Sequence, residues 1–443
     1  MGRCVCVVRN PRSLIAVGRP SHEPWVVEPW WRRFGVTALT LLRQIARQPL
    51  DPLPRLILAD FLEENGAPAR AEFIRLQVAE MNNRWGWEDK KYWPEREREL
   101  WQRHRDEWLA GLPDLKWIVW GGLVEGVIGG AEEVREARQH VDLRRVEWNA
   151  GAHGDAGILL RSLEWLVGVV ALRAEAMHLG AEGAAALAQS PHLQNLTTLD
   201  LSCNRIGDAG VEALAQSPYL QNLTTLHLGS NRISAAGAKA LAPSPYLQHL
   251  TTLNLASNKI GIAGAAALAQ SPHLQNLTEL NLSYNEIGAA GAEALARSPY
   301  LQNLTKLNLA SNWIVAAGVE ALAQSPHLQN LTELDLYDNQ IGTAGVQALA
   351  QSPHLQNLTK LDLERNRIDD AGAQALARSP YLQNLSKLDL SNNRLGDVGA
   401  EALAQSPHLQ NLTSLNLVFN WIGAAGREAL RNSPYLRRCR VKL

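Results

Sequence analysis

From Leu196 the chain sets apolar residues against polar ones in the order L-x-x-L-x-L-x-x-N-x-I: Leu196, Leu199, Leu201, Asn204 and Ile206 carry it. The pattern returns every 27 residues, with its asparagine at Asn231, Asn258, Asn285, Asn312, Asn339, Asn366, Asn393 and Asn420. The L-x-L alternation has the period of a strand. After Ile206 the spacing lengthens to that of a helix, with Ala209, Ala213 and Leu214 on the expected inner face. Ser217-Pro218 closes the helix, because proline cannot donate a backbone hydrogen bond to it. Leu220 and Leu223 lead into the next unit, so each repeat predicts strand, turn, helix, turn.

One unit cannot bury these residues alone, but stacked units can, at roughly 1.5–3 kcal/mol for each fully buried leucine. The asparagine answers a different demand. Where the strand turns inward, backbone groups leave the ladder, and an unsatisfied buried group costs about 1–3 kcal/mol. An amide side chain offers both donor and acceptor, so a structural asparagine ladder is expected from Asn204 to Asn420.

The eleven-residue string resembles the signature of leucine-rich repeats. The helical segment I-G-x-A-G-x-x-A-L-A is similar to the ribonuclease-inhibitor-like class, to which the Ran GTPase-activating protein and the arrays of NOD-like receptors also belong. The resemblance covers residues 143–443. It implies an α/β fold: a right-handed solenoid shaped as a horseshoe, with a parallel sheet on the concave face and helices on the convex face.

Positions between the leucines vary while the framework stays fixed. After the asparagine stand Arg205, Arg232, Lys259, Glu286, Trp313, Gln340, Arg367, Arg394 and Trp421; before it stand Cys203, Ser230, Ser257, Tyr284, Ser311, Asp338, Arg365, Asn392 and Phe419. One place earlier come Tyr337 and Glu364. Exposed aromatics and arginines anchor interfaces. The expected partner-binding residues on the concave face are therefore Tyr284, Trp313 and Tyr337 as a central cluster, Phe419 and Trp421 near the end, and Glu364, Arg365, Arg205 and Arg232. Glu279, Lys306, Glu333 and Lys360 alternate in sign at one column and predict a cross-strand salt-bridge ladder.

The recurring Ser-Pro-His and Ser-Pro-Tyr turns, such as Ser325-Pro326-His327, pair a hydroxyl with an imidazole. A nucleophile and base form one site, whereas this turn is copied in every unit with His and Tyr exchanging, so no catalytic residue is expected. The sequence offers no phosphate loop, metal-ligand spacing or nucleophile elbow, and hence no cofactor and no metal.

Upstream, Leu143–Trp148 occupies the strand template, and Met177 stands where the asparagine falls in the later units. Residues 111–195 are expected to be degenerate capping repeats, with a strand and a helix over 117–138 closing the end. Residues 36–110 predict a small all-α module: a helix opened by Pro54 and stopped at Asn65-Gly66, one over 69–81, and a third started or kinked at Pro94 that carries Trp93, Trp101 and Trp108 as an aromatic stripe. Pro54-Arg55-Leu56-Ile57-Leu58-Ala59-Asp60-Phe61-Leu62-Glu63-Glu64-Asn65-Gly66, with Arg70–Gln77, resembles the repeat-companion domain that precedes repeat arrays in certain bacteria; that family usually carries Trp where this chain has Phe61. The charged residues here, Asp60 and Arg55 among them, are expected on solvated faces and in ion pairs. Residues 1–35 are expected to be disordered or an extension ahead of the native start.

Composition changes the picture only at the margins. Residues 1–190 hold 25 Lys+Arg against 26 Asp+Glu, and residues 191–443 hold 18 against 18. Neither half has the basic excess that a nucleic-acid or anionic-membrane partner would favour. The four cysteines, widely scattered apart from the Cys4–Cys6 pair, form no disulfide framework, which suits a reducing cytoplasm. The expectation is a monomeric, cytoplasmic, non-enzymatic scaffold that binds a protein partner of unknown identity; the alternative is a regulator of an enzyme such as a small GTPase, as the resemblance to the Ran GTPase-activating protein implies.

Overall fold

The computed structural model describes residues 53–79, 94–109 and 168–443 throughout, with shorter pieces between 112 and 166 and positions 41 and 45. The expectations for residues 1–35 and for Trp93 lie outside the described residues. The chain divides into two compact units, one holding the first three described helices and the other the repeats.

In the first unit, helix Leu53–Glu64 buries Leu58, Ala59 and Leu62 against Ala71 and Ile74 of helix Pro68–Ala79. Gly66 adopts φ +82°, and Ala67 N–H donates to the Leu62 carbonyl at 2.8 Å, closing the first helix. Helix Glu95–Trp108 starts directly after Pro94, whose fixed φ suits a helix entry. Its Trp101 and Trp108 pack on Phe73 as part of the core, with ring centroids 6.0 and 4.8 Å away. Asp60 pairs with Arg75 at 2.6 Å, as does Glu63, and Arg96 grips Glu72. Arg55 and Arg70 depart from the solvated-face expectation. Both are buried, and Arg70 lies over the Trp108 ring at 4.6 Å.

The second unit is an α/β solenoid. Fourteen strands in the described residues form one sheet in strict chain order, β1 to β14. Over 117–138 there are two strands, β1 (Lys116–Trp120) and β2 (Leu123–Gly129), before helix Ala131–Ala137, where the sequence predicts a single strand. From β3 (Arg145–Trp148) and β4 (Ala171–Arg173) onward the pairing is parallel. The regular strands are β5 (Thr198–Asp200), β6 (Thr225–His227), β7 (Thr252–Asn254), β8 (Glu279–Asn281), β9 (Lys306–Asn308), β10 (Glu333–Asp335), β11 (Lys360–Asp362), β12 (Lys387–Asp389) and β13 (Ser414–Asn416), and β14 (Arg440–Lys442) closes the array. Each lasts three residues, and equivalent positions sit directly beside one another: Leu334 faces Leu307 on one side and Leu361 on the other.

Leu196, Leu199, Leu201 and Ile206 are buried as expected. The helix after them turns differently from the sequence expectation. Gly210, Val211, Leu214 and Ala215 form its buried face, while Ala209 is exposed. Gly210 is the reason the helix can lie so close: a Cβ there would stand 2.1 Å from Ile206 Cγ2 and 3.0 Å from Ala184 Cβ of the previous repeat. No helix among the described residues is long and apolar enough to cross a membrane.

Candidate functional surface

Three ladders engage recurring polar residues inside the repeats. Asn312 is representative of the first. Its Oδ1 accepts from the backbone N–H groups of Asn285 (2.9 Å) and Ile287 (3.3 Å), and its Nδ2 donates to the carbonyls of Leu282, Leu309 and Ala310. The same bonds recur from Asn204 through Asn231, Asn258, Asn285, Asn339, Asn366 and Asn393 to Asn420. Where Met177 replaces the asparagine, its own N–H donates to Asn204 Oδ1 at 2.8 Å. In the second ladder a threonine hydroxyl donates to the preceding repeat, as from Thr332 to the Thr305 carbonyl at 3.0 Å. In the third, the serine of each Ser-Pro turn from Ser217 to Ser433 donates to a helix carbonyl of the preceding repeat, as from Ser352 Oγ to Ala323 at 2.5 Å, and Ser352 Oγ also accepts from His354 N–H. Those hydroxyls are spent on structure.

The partner-binding residues expected on the sheet stand beyond it. Each strand ends four residues before the ladder asparagine, and all nine residues just before that asparagine, from Cys203 to Phe419, adopt left-handed backbone with φ of 52–62°. Tyr284, Arg365 and Phe419 therefore project from the turn that leaves the sheet, as do Arg205, Arg232, Trp313 and Trp421 on the far side of the asparagine. Among the expected aromatics, Tyr284 (53% exposed), Trp313 (59%), Phe419 (76%) and Trp421 (71%) are open to solvent. Phe419 and Trp421 thus do not fold over the last repeat as a cover.

The central trio does not form one cluster. Among the described residues Tyr284 and Trp313 make no ring contact, and Tyr337 is half-buried and held elsewhere: Arg365 donates to its hydroxyl at 2.9 Å and lies 5.9 Å from its ring centre. Glu364 accepts from Asn392 Nδ2 at 2.7 Å. Beside Trp313, Val315 takes φ +51°, in a slot where the neighbouring repeats place Gly288 and Gly342. A β-branched residue is costly there.

On the sheet itself two columns face solvent between buried leucines. In the first, Lys306 pairs with Glu279 and Lys360 with Glu333, each at 2.6 Å, forming two rungs of the expected ladder. The second is Asp200, His227, Asn254, Asn281, Asn308, Asp335, Asp362, Asp389 and Asn416. Its acidic stretch was legible as three successive L-D-L strings but is absent from the residues singled out by sequence. Its Asp and Asn residues do one shared task, accepting the N–H two residues on, as Asp362 does from Glu364 and Asn308 from Ala310, both at 3.0 Å.

Asp335, Asp362 and Asp389 lie side by side in register. Carboxylate oxygens of Asp362, Glu364 and Asp389 come within 4.8 Å of one another. Burial, together with the charges of Asp335, Asp389 and Glu364, pushes Asp362 up to about 7, against the pull of its backbone bond from Glu364. Burial also raises Asp335, opposed by donors from Tyr337 and Asn308. Acidic groups crowd in this way without any ion, and nothing else at the column points to one. At the other end, burial lowers His227, opposed by Asp200 and reinforced by Arg173.

Leucine-rich-repeat family models match this chain over residues 192–215, 219–242, 246–269, 273–296, 300–323 and 327–350, and a second such model over 356–422. No curated protein matches it. Similar solved structures include an internalin from Listeria monocytogenes, 20% identical with a TM-score of 0.38, covering 66% of this chain and 94% of that one. A chain of the TLR13–ssRNA13 complex is 25% identical with a TM-score of 0.41, covering 63% and 40%. A chain of the Rad7–Elc1 complex of yeast is 14% identical with a TM-score of 0.44, covering 87% and 94%. The repeat framework, its strand–helix units and the family matches agree: the chain is a leucine-rich-repeat protein.

Proposed function

We propose that the solenoid is a non-enzymatic scaffold that binds a protein partner through the turns leaving its sheet. One observation carries this reading. The ladder asparagines, the strand-entry threonines and the Ser-Pro serines from Ser217 onward are engaged in internal ladders, while the varying turn positions hold Tyr284, Trp313, Phe419 and Trp421 with most of their surface open to solvent. Large rings exposed on a rigid, repeated backbone lose little freedom on binding, and for that reason they anchor interfaces. Arg205, Arg232 and Arg365 stand in the same columns, while Tyr337 and Glu364 border them on the sheet side. We place the repeats in the ribonuclease-inhibitor-like class on their I-G-x-A-G-x-x-A-L-A helical segment, and residues 37–81 in the repeat-companion family on the Pro54–Gly66 string. The domain reading keeps residues 36–110, 111–195 and 196–443 as module, capping repeats and regular repeats. The free thiols of Cys203 and Cys439 suit a cytoplasmic monomer. No residue singles out the GTPase-regulator alternative.

The test is affinity capture from the native host with the wild-type chain, a Tyr284→Ala/Trp313→Ala variant and a Phe419→Ala/Trp421→Ala variant, read by quantitative mass spectrometry. Removing an anchoring pair should deplete the specific partner at least tenfold, since an anchor is worth on the order of 2 kcal/mol. A partner retained at full level by both variants would sink the turn-surface reading.

A further inference from the structure

The column on which Asp335, Asp362 and Asp389 sit contains its own control. Asn254, Asn281 and Asn308 occupy it in earlier repeats and Asn416 in the next one, and asparagine makes the same bond to the N–H two residues on. Nothing in the turn therefore demands a charge. Neutral amides would serve, yet three adjacent strands carry carboxylates.

The flanks of the stack differ from its centre. Asn308 Nδ2 donates to Asp335 Oδ2 at 2.8 Å, and Asn416 Nδ2 donates to Asp389 Oδ2 at 2.8 Å. Each outer carboxylate so has an amide donor on its open side. Asp362 sits between the two, with a carboxylate on the strand at either hand and Glu364 two residues on. Neighbouring strands are about 4.8 Å apart, close enough for like charges to interact strongly when half-buried. The cations nearby are engaged or displaced: Lys360 is bonded to Glu333, Arg365 is turned to the Tyr337 hydroxyl, and Lys387 stands exposed at the far edge of β12. Asp338 adds a further carboxylate on the adjoining turn.

We propose that this Asn–Asp–Asp–Asp–Asn line is a proton-sensitive brace: a proton held on the central carboxylate separates the two outer charges, and its loss to solvent sets three like charges side by side and loosens β10–β12. The sign follows from the raised position of Asp362. A carboxyl that titrates near 7 when folded and near 3.8 when unfolded binds its proton more tightly in the folded chain. Stability is then greatest at the acid end of that interval and falls as pH rises through it.

The experiment is thermal unfolding of the full chain and its Asp362→Asn variant at pH 5 and pH 8, with amide hydrogen exchange followed strand by strand. Asp362→Asn should melt several degrees above wild type at pH 8 and within about a degree of it at pH 5. In wild type, exchange in β10–β12, corrected for its intrinsic pH dependence, should speed up between pH 5 and pH 8, while β7 and β8, which carry asparagine in the column, should not change. Should Asp362→Asn fail to fold, Asp335→Asn/Asp389→Asn removes both neighbouring charges and should weaken the same pH dependence, burial and Glu364 leaving part of it. An equal offset at both pH values, or a pH response shared equally by β7–β8 and β10–β12, overturns the brace, as does a pH dependence undiminished in the double variant.

Discussion

Two columns of near-identical side chains run along the same sheet, four residues apart. The Asn204–Asn420 column is buried as far as Asn393 and half-buried at Asn420, and each amide spends both its oxygen and its nitrogen on the backbone. The Asp200–Asn416 column is half-buried except at Asp200, which is buried, and each Asp or Asn in it uses one oxygen for the turn, with the other end free to vary. The first admits asparagine alone in nine repeats; the second admits Asp, Asn and His. The difference lies in the demand on the nitrogen. Where three carbonyls wait for a donor, only an amide fits; where none does, a carboxylate serves the turn equally well and brings a charge with it.

The sharpest way to break this comparison is to make one substitution in both columns, starting with the buried one. Asn312→Asp keeps an acceptor for Asn285 and Ile287 but aims a carboxylate at the carbonyls of Leu282, Leu309 and Ala310. At pH 8 it should destabilise the solenoid by about 4 kcal/mol, easing at acid pH where a neutral acid can donate to one of them. Asn312→Ala leaves donors and acceptors alike unpaired without adding a charge, and should cost about 3 kcal/mol at every pH. Denaturant midpoints supply both values. Unchanged midpoints would mean that the ladder does not hold the turns.

A smaller effect of the opposite sign is expected next to Trp313. Val315→Gly places in the left-handed slot the residue that Gly288 and Gly342 put there, and relief of the backbone should outweigh the extra freedom of the unfolded glycine by about 0.5–1 kcal/mol. A lower melting temperature would show instead that the Val315 side chain contributes more than its backbone costs.

The framework was legible because burial is periodic. Every leucine, the asparagine and the alanine-rich helix repeat at 27 residues, and stacking is the one arrangement that buries them all. Where the strands stop was not legible. L-x-L-x-x-N does not say that the strand ends at Asp200 and that Cys203 is left-handed, so it does not show that Tyr284 and Trp313 stand in the turn beyond the strand. The helix face was shifted for a related reason: Ala209 and Gly210 are both small, and only the close approach to Ile206 decides that the glycine is the buried one. The carboxylate stack needed register. Asp335, Asp362 and Asp389 are far apart in sequence and meet only because parallel strands place equal positions side by side.

The last prediction closes the pair with the half-buried column. Asn281 has Asn254 and Asn308 as its neighbours across the sheet, and its oxygen accepts from both the N–H and the hydroxyl of Ser283 at 3.0 and 2.8 Å. Asp200 with Ser202 makes the same two bonds at 3.0 and 2.7 Å, so the chain already contains the arrangement that Asn281→Asp would copy. No carboxylate stands beside it in the column, and Lys306 lies across the adjoining strand, paired with Glu279. The expected change is within about 0.5 kcal/mol at pH 8, against about 4 for the same substitution at Asn312. If the two losses came out equal, partial exposure would not be what frees this column, and the tolerance of the repeats for Asp would have to come from each repeat's particular neighbours.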